Sequence, residues 1–239
     1  MHSIFVSDLH LSPERPHINQ VFFDFAARIA ARAESVFILG DLFEYWVGDD
    51  DLADPFNASV ADALAGLTGK RVKLRLMQGN RDVLLGEAFA RRCGAKLIID
   101  PTVLDLHGTK TLVMHGDTLC TDDVKYQKFR SFARNPVYQR LLLCLPLALR
   151  RALIRRMRAG SEKHKQGTSA EIMDVAQATV ERVLREHGYP RLIHGHTHRP
   201  ARHLDMVDGH RCERWVLNDW YQRGGYLHCD SSGCRAELL

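Results

Sequence analysis

Short apolar runs in this chain end repeatedly in clusters of carboxylate, amide and imidazole side chains, and this repetition narrows the folds open to it. Asp8-Leu-His10 follows Ile4–Ser7, Gly40-Asp41 follows Val36–Leu39, and Gly79-Asn80-Arg81-Asp82 follows Val72–Met77. His115-Gly116-Asp117 follows Thr111–Met114, and Gly195-His196-Thr197-His198 follows Leu192–Ile193. Such short apolar, β-branched runs read as buried strands. Strand ends gathered at one edge of a sheet can pool side chains from distant parts of the sequence.

Between these runs the periodicity predicts helices over Val21–Ala33, Ala58–Leu67, Leu84–Arg92 and Ala170–His187, the last with Ile172, Val175, Ala176, Val180 and Leu184 on one face. Lys96–Ile99 reads as a further strand. Val103–Leu106 and Thr111–Met114 read as a hairpin about Gly108. Asp122–Arg158 breaks the alternation: it is helical in composition and interrupted at Pro136 and Pro146. Gly160–Ser169 is polar and reads as a loop. The tail from Arg202 reads as three or four antiparallel strands, split near Asp208-Gly209 and Arg223-Gly224-Gly225. For 239 residues this predicts one domain, an α/β body of two packed sheets flanked by helices, with 122–166 inserted as a cap.

The net charge of +4 is mild, but Arg and Lys concentrate between Arg130 and Lys165. None of the six cysteines forms a Cys-x-x-Cys pair, and no secretory signal precedes the first strand, so a cytoplasmic chain with reduced thiols is expected. Cys229 and Cys234 could form a redox pair, but chance proximity is the preferred reading. Leu141–Leu149 is the most apolar stretch, but it contains Pro146 and is too short to span a bilayer.

Carboxylate, amide and imidazole without thiolate suit Mn²⁺, Zn²⁺ or Fe²⁺. Two such ions need a shared ligand, typically a carboxylate with one oxygen for each, and Asp41 is suited to that role. Asp8 and His10 alternate along an extended chain, which would aim both to one side. His196 and His198 have the same spacing and could each reach a different ion. Asn80 offers a neutral oxygen, and His115 completes the second ion.

Asp-x-His, Gly-Asp, Gly-Asn-x-Asp, His-Gly-Asp and Gly-His-Thr-His, in this order from Asp8 to His198, resemble the calcineurin-like metallophosphoesterases. That resemblance implies a four-layer αββα sandwich with a dinuclear centre. By it, one ion takes Asp8, His10, Asp41 and His198, and the other takes Asp41, Asn80, His115 and His196. His194 lies outside the pattern and is expected to be structural. Many members carry His after the motif's Asn, where it can protonate an alkoxide leaving group. Here Arg81 stands in that place. It cannot give up a proton at working pH, but it can clamp phosphate oxygens. A phosphate leaving group needs no general acid, so Arg81 favours a pyrophosphate bond. The competing reading pairs Arg81 with Asp82.

The fuller stretches Ser7–Leu11, Leu39–Glu44, Gly79–Asp82, His115–Asp123 and Leu192–Pro200 are similar to the branch of the family that cleaves UDP-2,3-diacylglucosamine in lipid A synthesis. The resemblance implies two divalent ions, usually Mn²⁺, with activated water attacking the α-phosphorus. The products would be UMP and 2,3-diacylglucosamine 1-phosphate. It makes Asn80, Arg81 and His115 catalytic. It places Asn80, Arg81, Asp123, Ser161, Lys165, Thr168 and His196 against substrate, although Lys165 and Thr168 differ in type from the family's residues. It also implies a monomer, peripheral on the cytoplasmic face of the inner membrane, without nucleic acid.

Leu141–Arg158 fits that expectation: Leu141, Leu142, Leu145, Leu149, Leu153 and Ile154 alternate with Arg150, Arg151, Arg155, Arg156 and Arg158. Such a helix can lie on an anionic membrane surface or line a slot for acyl chains. It could equally be an ordinary cap with a solvated face. Two other functions remain open from the residues: a metallophosphoesterase for a soluble nucleotide sugar or a phosphodiester, and a non-catalytic metal scaffold that binds lipid or nucleic acid through its basic face.

Overall fold

The computed structural model describes residues 2–167 and 174–239, with 158–167 described as backbone only. The first half alternates strand and helix: β1 (Ser3–Val6), α1 (Pro16–Arg28), β2 (Ser35–Leu39), α2 (Pro55–Gly69), β3 (Lys73–Met77), α3 (Glu87–Cys93) and β4 (Lys96–Leu97). A hairpin follows, β5 (Thr102–Leu106) and β6 (Thr109–Met114). Next come α4 (Val124–Ala133), α5 (Pro136–Leu143), α6 (Leu147–Gly167) and α7 (Gln177–Glu186). The chain ends with β7 (Arg191–His194), β8 (Ala201–Val207), β9 (His210–Val216), β10 (Gly225–Asp230) and β11 (Gly233–Leu238).

The strands make two sheets, ordered β11-β10-β1-β2-β3-β4 and β5-β6-β7-β9-β8. Strands β1 to β4 are parallel, as are β6, β7 and β9; hairpins form the β11 edge of the first sheet and both edges of the second. Phe5, Phe37 and Leu39 of the first sheet meet Val113, Ile193 and Trp215 of the second in a shared core. The outer face of the first sheet packs on α1 to α3 through Ile4, Val36, Phe22, Leu64 and Phe89. The outer face of the second packs on α7 through Leu112, Leu192, Val180 and Leu184. The layers are therefore α, β, β and α. Strands buried on both faces must be continuously apolar, which is why the short runs stood out.

Several boundaries differ from expectation. Helix α1 begins at Pro16, because proline fits the first helical position, where no amide hydrogen is needed. Helix α6 continues to Gly167 through residues expected to be a loop, since Glu162, Lys163, Lys165 and Gln166 are good helix formers. Helix α7 begins only at Gln177. Ala176 is extended and its amide bonds to Leu119 O at 2.9 Å, so that segment is tied to the loop after β6. Ile172 lies outside the described residues. The C-terminal strands are two hairpins in different sheets. Cys229 and Cys234 face each other across the β10–β11 pairing and are joined by a disulfide, which corrects the expectation of chance proximity and reduced thiols. With only Ser231 and Ser232 in the turn, residues five apart fall opposite each other.

The arginines of α6 also have a different use from the one expected. Arg150 is 2% exposed. It pairs with Asp50 and donates to Val47 O at 2.5 Å and Leu145 O at 2.9 Å. Arg151 pairs with Asp51. Both side chains anchor α6 to the acidic turn after β2. Replacing Arg150 with alanine leaves Val47 O without its donor, and the expected loss is about 1–3 kcal/mol. Arg151→Ala, at a more exposed pair, should cost less. Denaturant midpoints of the two variants test this ranking.

Candidate metal centre

The parallel order places the carboxyl ends of β1, β2 and β3 side by side, while Met114 and His194 pair across β6 and β7. All five clusters therefore emerge at one edge. The segments after β1 and β2 stay zipped beyond the strands: Asp8 N bonds to Gly40 O at 3.1 Å, His10 N to Asp41 O at 3.0 Å and Leu11 N to Leu42 O at 3.0 Å. Gly195 N likewise bonds to His115 O at 2.8 Å.

Asp8, His10, Asp41, His196 and His198 all have left-handed backbone, with φ of 54°, 50°, 54°, 72° and 54°. They are five of the nine described non-glycine residues with positive φ. Each such conformation costs on the order of 1 kcal/mol or more and persists only where the surroundings enforce it. The alternation argument for Asp8 and His10 is therefore replaced: left-handed turns, and not an extended strand, bring the two side chains together.

Two sets of donor atoms each lie within 4.8 Å: Asp8, His10 and His198 in one, Asp8, Asp41 and His115 in the other. His198 Nε2 is 3.3 Å from Asp8 Oδ1 and 3.4 Å from His10 Nε2. The two oxygens of Asp41 face opposite ways, with Oδ2 4.0 Å from His10 Nε2 and Oδ1 3.8 Å from His115 Nε2. Asn80 Oδ1 lies 3.0 Å from both His115 Nε2 and His196 Nδ1. His196 and His198 thus sit at opposite ends of the cluster. His194, fully buried on β7 with Nδ1 2.9 Å from Gly195 O, lies outside both sets, and burial pushes its pKa down to about 4.

The donor chemistry fits divalent cations. The buried Asp8 Oδ1 faces imidazole nitrogens, His198 Nε2 at 3.3 Å and His10 Nε2 at 3.9 Å. His115 Nδ1 lies 2.9 Å from Leu39 O, so Nδ1–H donates there and Nε2 is the atom turned towards Asp41 and Asn80. Burial would raise the Asp8 pKa, but its hydrogen bond with His198 and the charges of His198, His115 and His10 hold it well below the usual range. Burial and the nearby Asp8 raise that of Asp41. His115 would be lowered by burial, yet Asp41, Asp117, Asp8 and Asp100 push it up to about 9. The pocket therefore holds more negative charge than its imidazoles offset.

Arg81 does not pair with Asp82. The Asp82 carboxylate, fully buried, accepts from the amides of Gly79 at 2.7 Å, Leu42 at 2.7 Å and Asp41 at 3.2 Å. Arg81 turns towards the cavity, its Nη1 3.6 Å from Glu44 Oε1. Beside Asn80 and Arg81 opens an apolar cavity of ≈ 540 Å³, walled by Phe129, Phe132, Leu142, Leu153 and Met157 from α4 to α6. Tyr126 lines it too, 5.5 Å from the His196 ring. Asp123 caps α4, accepting from Tyr126 N at 2.9 Å. The side chains of Ser161 and Lys165, and the whole of Thr168, lie outside the described residues. Asp82, weighed only as a partner for Arg81, instead clamps the backbone, and Glu44 and Tyr126 join the site without having been singled out as site residues. Asp82 and Glu44 stand within the recognised motifs, and Tyr126 follows Asp123 by three residues on the same helix.

The sequence pattern of the calcineurin-like phosphoesterases matches residues 1–200, and the chain belongs to that family. It is a hydrolase of the metallophosphoesterase class. It is 50% identical to a UDP-2,3-diacylglucosamine hydrolase of Aromatoleum aromaticum, covering 98% of this chain and 95% of that one. It is 48% identical to the protein of that name from Chromobacterium violaceum, with 97% and 96% coverage. Among solved structures, a dimetal phosphatase from Danio rerio shares the fold, with a TM-score of 0.52 at 13% identity over 95% of this chain and 91% of that one.

Gly195 permits the close approach at the centre, because a Cβ there would overlap Ser7 Oγ and Asp8 Oδ2. Gly195→Ala should weaken Mn²⁺ binding at least tenfold while leaving far-UV circular dichroism unchanged. Calorimetric Mn²⁺ titration checks this.

Proposed function

We propose that this chain hydrolyses the pyrophosphate bond of UDP-2,3-diacylglucosamine, releasing UMP and 2,3-diacylglucosamine 1-phosphate for lipid A synthesis. The observation that carries this reading is the apolar cavity opening directly onto the Asn80 and Arg81 end of the ligand cluster. A soluble nucleotide sugar would leave such a cavity in contact with water, whereas acyl chains fill it. The names of the near full-length relatives support the same substrate.

In this reading Asp8, His10, Asp41 and His198 hold one divalent ion, and Asp41, Asn80, His115 and His196 the other, with Mn²⁺ the expected metal. Such a pair supplies Lewis acidity to phosphate oxygens and an activated water. Arg81, at the mouth of the cavity, clamps the phosphate and balances its developing charge. It transfers no proton, and none is needed, because the departing group is a phosphate. Asn80 and His196 face the substrate at the same end. Residues 122–166 serve as the cap over the acyl chains, and the family resemblance assigns Asp123, Ser161, Lys165 and Thr168 to the sugar. The exposed Val137 and Leu149 of this cap, which do not line the cavity, suit a peripheral position on the cytoplasmic face of the inner membrane, as a monomer. No described helix is long and apolar enough to cross a membrane.

Turnover of UDP-2,3-diacylglucosamine beside UDP-N-acetylglucosamine, with Mn²⁺ added and products resolved, tests the proposal. UMP and the acylated sugar phosphate are expected from the first substrate alone. Equal turnover of both would remove the cavity from the account and favour a soluble substrate. Arg81→Ala should lower turnover by about 10²-fold or more while metal content, measured by elemental analysis, stays at the wild-type value.

A further inference from the structure

Glu44 stands between two groups with different tasks. It is the last residue of the segment that stays zipped to the Asp8–Leu11 turn, its amide bonded to Leu11 O at 3.0 Å. Its side chain is 16% exposed. Oε2 lies 3.4 Å from His10 Nδ1, and Oε1 lies 3.6 Å from Arg81 Nη1. The His10 ring lies between Glu44 and the donor cluster, because Nε2, on the far side of the imidazole, is the atom that faces Asp8, Asp41 and His198. Glu44 therefore cannot share an ion with His10 Nε2. Its two oxygens instead address the back of a candidate ligand and the guanidinium at the cavity mouth.

We infer that Glu44 is a positioning residue that serves both ends of the site. The charge of one oxygen, at ion-pair distance, favours His10 with Nδ1–H outward and Nε2 inward, and that of the other keeps Arg81 at the lip of the cavity. A carboxylate behind a ligating imidazole fixes its tautomer and ring angle and makes it a better donor. The second contact has an electrostatic reason. Two divalent cations in the cluster would repel the Arg81 guanidinium, and an anion beside it offsets that repulsion. Metal binding and phosphate binding are thus linked through one side chain. The Arg81 half of the inference rests on the proposed phosphate clamp, while the His10 half needs only a metal in the cluster.

The test uses the full chain with Mn²⁺ and UMP as probes. Calorimetry gives Mn²⁺ affinity, and UMP affinity is measured at saturating Mn²⁺ so that metal loss does not enter. Glu44→Ala should weaken Mn²⁺ binding about 10- to 100-fold and UMP binding at least fivefold. In an Arg81→Ala background the UMP effect of Glu44→Ala should vanish and the Mn²⁺ effect should remain. Glu44→Gln still offers an oxygen to His10 Nδ1–H but no charge to Arg81. It should recover most of the Mn²⁺ affinity without recovering UMP binding. Unchanged Mn²⁺ affinity in Glu44→Ala, or a UMP loss of equal size with and without Arg81, would overturn the inference. So would a fall in thermal midpoint with both affinities intact. Failure of the wild-type protein to bind UMP would instead count against the proposed function, and the Mn²⁺ series would still decide the His10 half.

Discussion

One buried carboxylate, that of Asp82, holds the edge of the sheet in the form the centre requires. Its three backbone amide donors come from both sides of a loop pair: Gly79 after β3, and Asp41 and Leu42 after β2. Charge-assisted bonds of this kind compensate for burying an anion. The compensation is incomplete, since burial and the nearby Asp41 push the Asp82 pKa up to about 6. The clamp fixes Asp41 in its left-handed conformation against Gly79, where any Cβ would meet the Asp41 carboxylate. Because Asp82 points inward, its neighbour Arg81 is left at the surface of the cavity. The division of Asp41's oxygens between two ends of the cluster and the placement of the guanidinium beside the cavity both follow from this one interaction.

Helices α4 and α6 are fixed by the same kind of bond at opposite ends of the cavity. Asp117, fully buried two residues after His115, accepts from Tyr126 Oη at 2.9 Å and Arg130 Nε at 2.7 Å, both on α4. Burial opposes the ionised form of Asp117, but the charges of His115, His196, Arg130 and Arg134 hold its pKa below the usual range. At the other end Arg150 and Arg151 seat α6 on the acidic turn. The cavity is bounded by two ion-paired helices, and one of the pairs begins within the His-Gly-Asp cluster itself. The shape of the apolar wall is therefore mechanically continuous with the candidate ligands.

The legible parts of the sequence were those where one physical pattern has one structural solution. Buried parallel strands must be apolar throughout, and ligand residue types at their ends are conspicuous against that background. The layers and the positions of the clusters could accordingly be read. The backbone at those clusters could not: Asp8 and His10 at a spacing of two fit an extended strand, and only the zipped Asp41–Leu42 segment shows why they are left-handed. The α6 arginines were ambiguous for another reason. A basic amphipathic pattern states that charge lies on one face without stating what that face meets. The partners of Arg150 and Arg151 lie a hundred residues earlier, in a turn read only as acidic. The Cys229–Cys234 pairing depended on the length of one hairpin turn, a boundary that periodicity does not fix.

A phosphate-handling centre beside an apolar cavity places two opposed requirements within a few side chains of each other. Arg81 and the ligand carboxylates need hydrogen-bonding partners, whereas Phe129, Phe132 and Leu142 gain by excluding water. The conflict is eased by direction, since Asp41 and Asp82 are bonded by backbone amides at the strand ends, while Phe129, Phe132, Leu142, Leu153 and Met157 approach from the helices. Exclusion of water by the helical wall also lowers the local dielectric at Arg81, which strengthens its attraction for an anion relative to one in open solvent. A substrate that is phosphate alone would meet that field without filling the wall. An amphiphile whose phosphate and apolar parts are covalently joined would satisfy both surfaces at once and, by displacing the remaining water, would strengthen the contact at Arg81 as its chains enter.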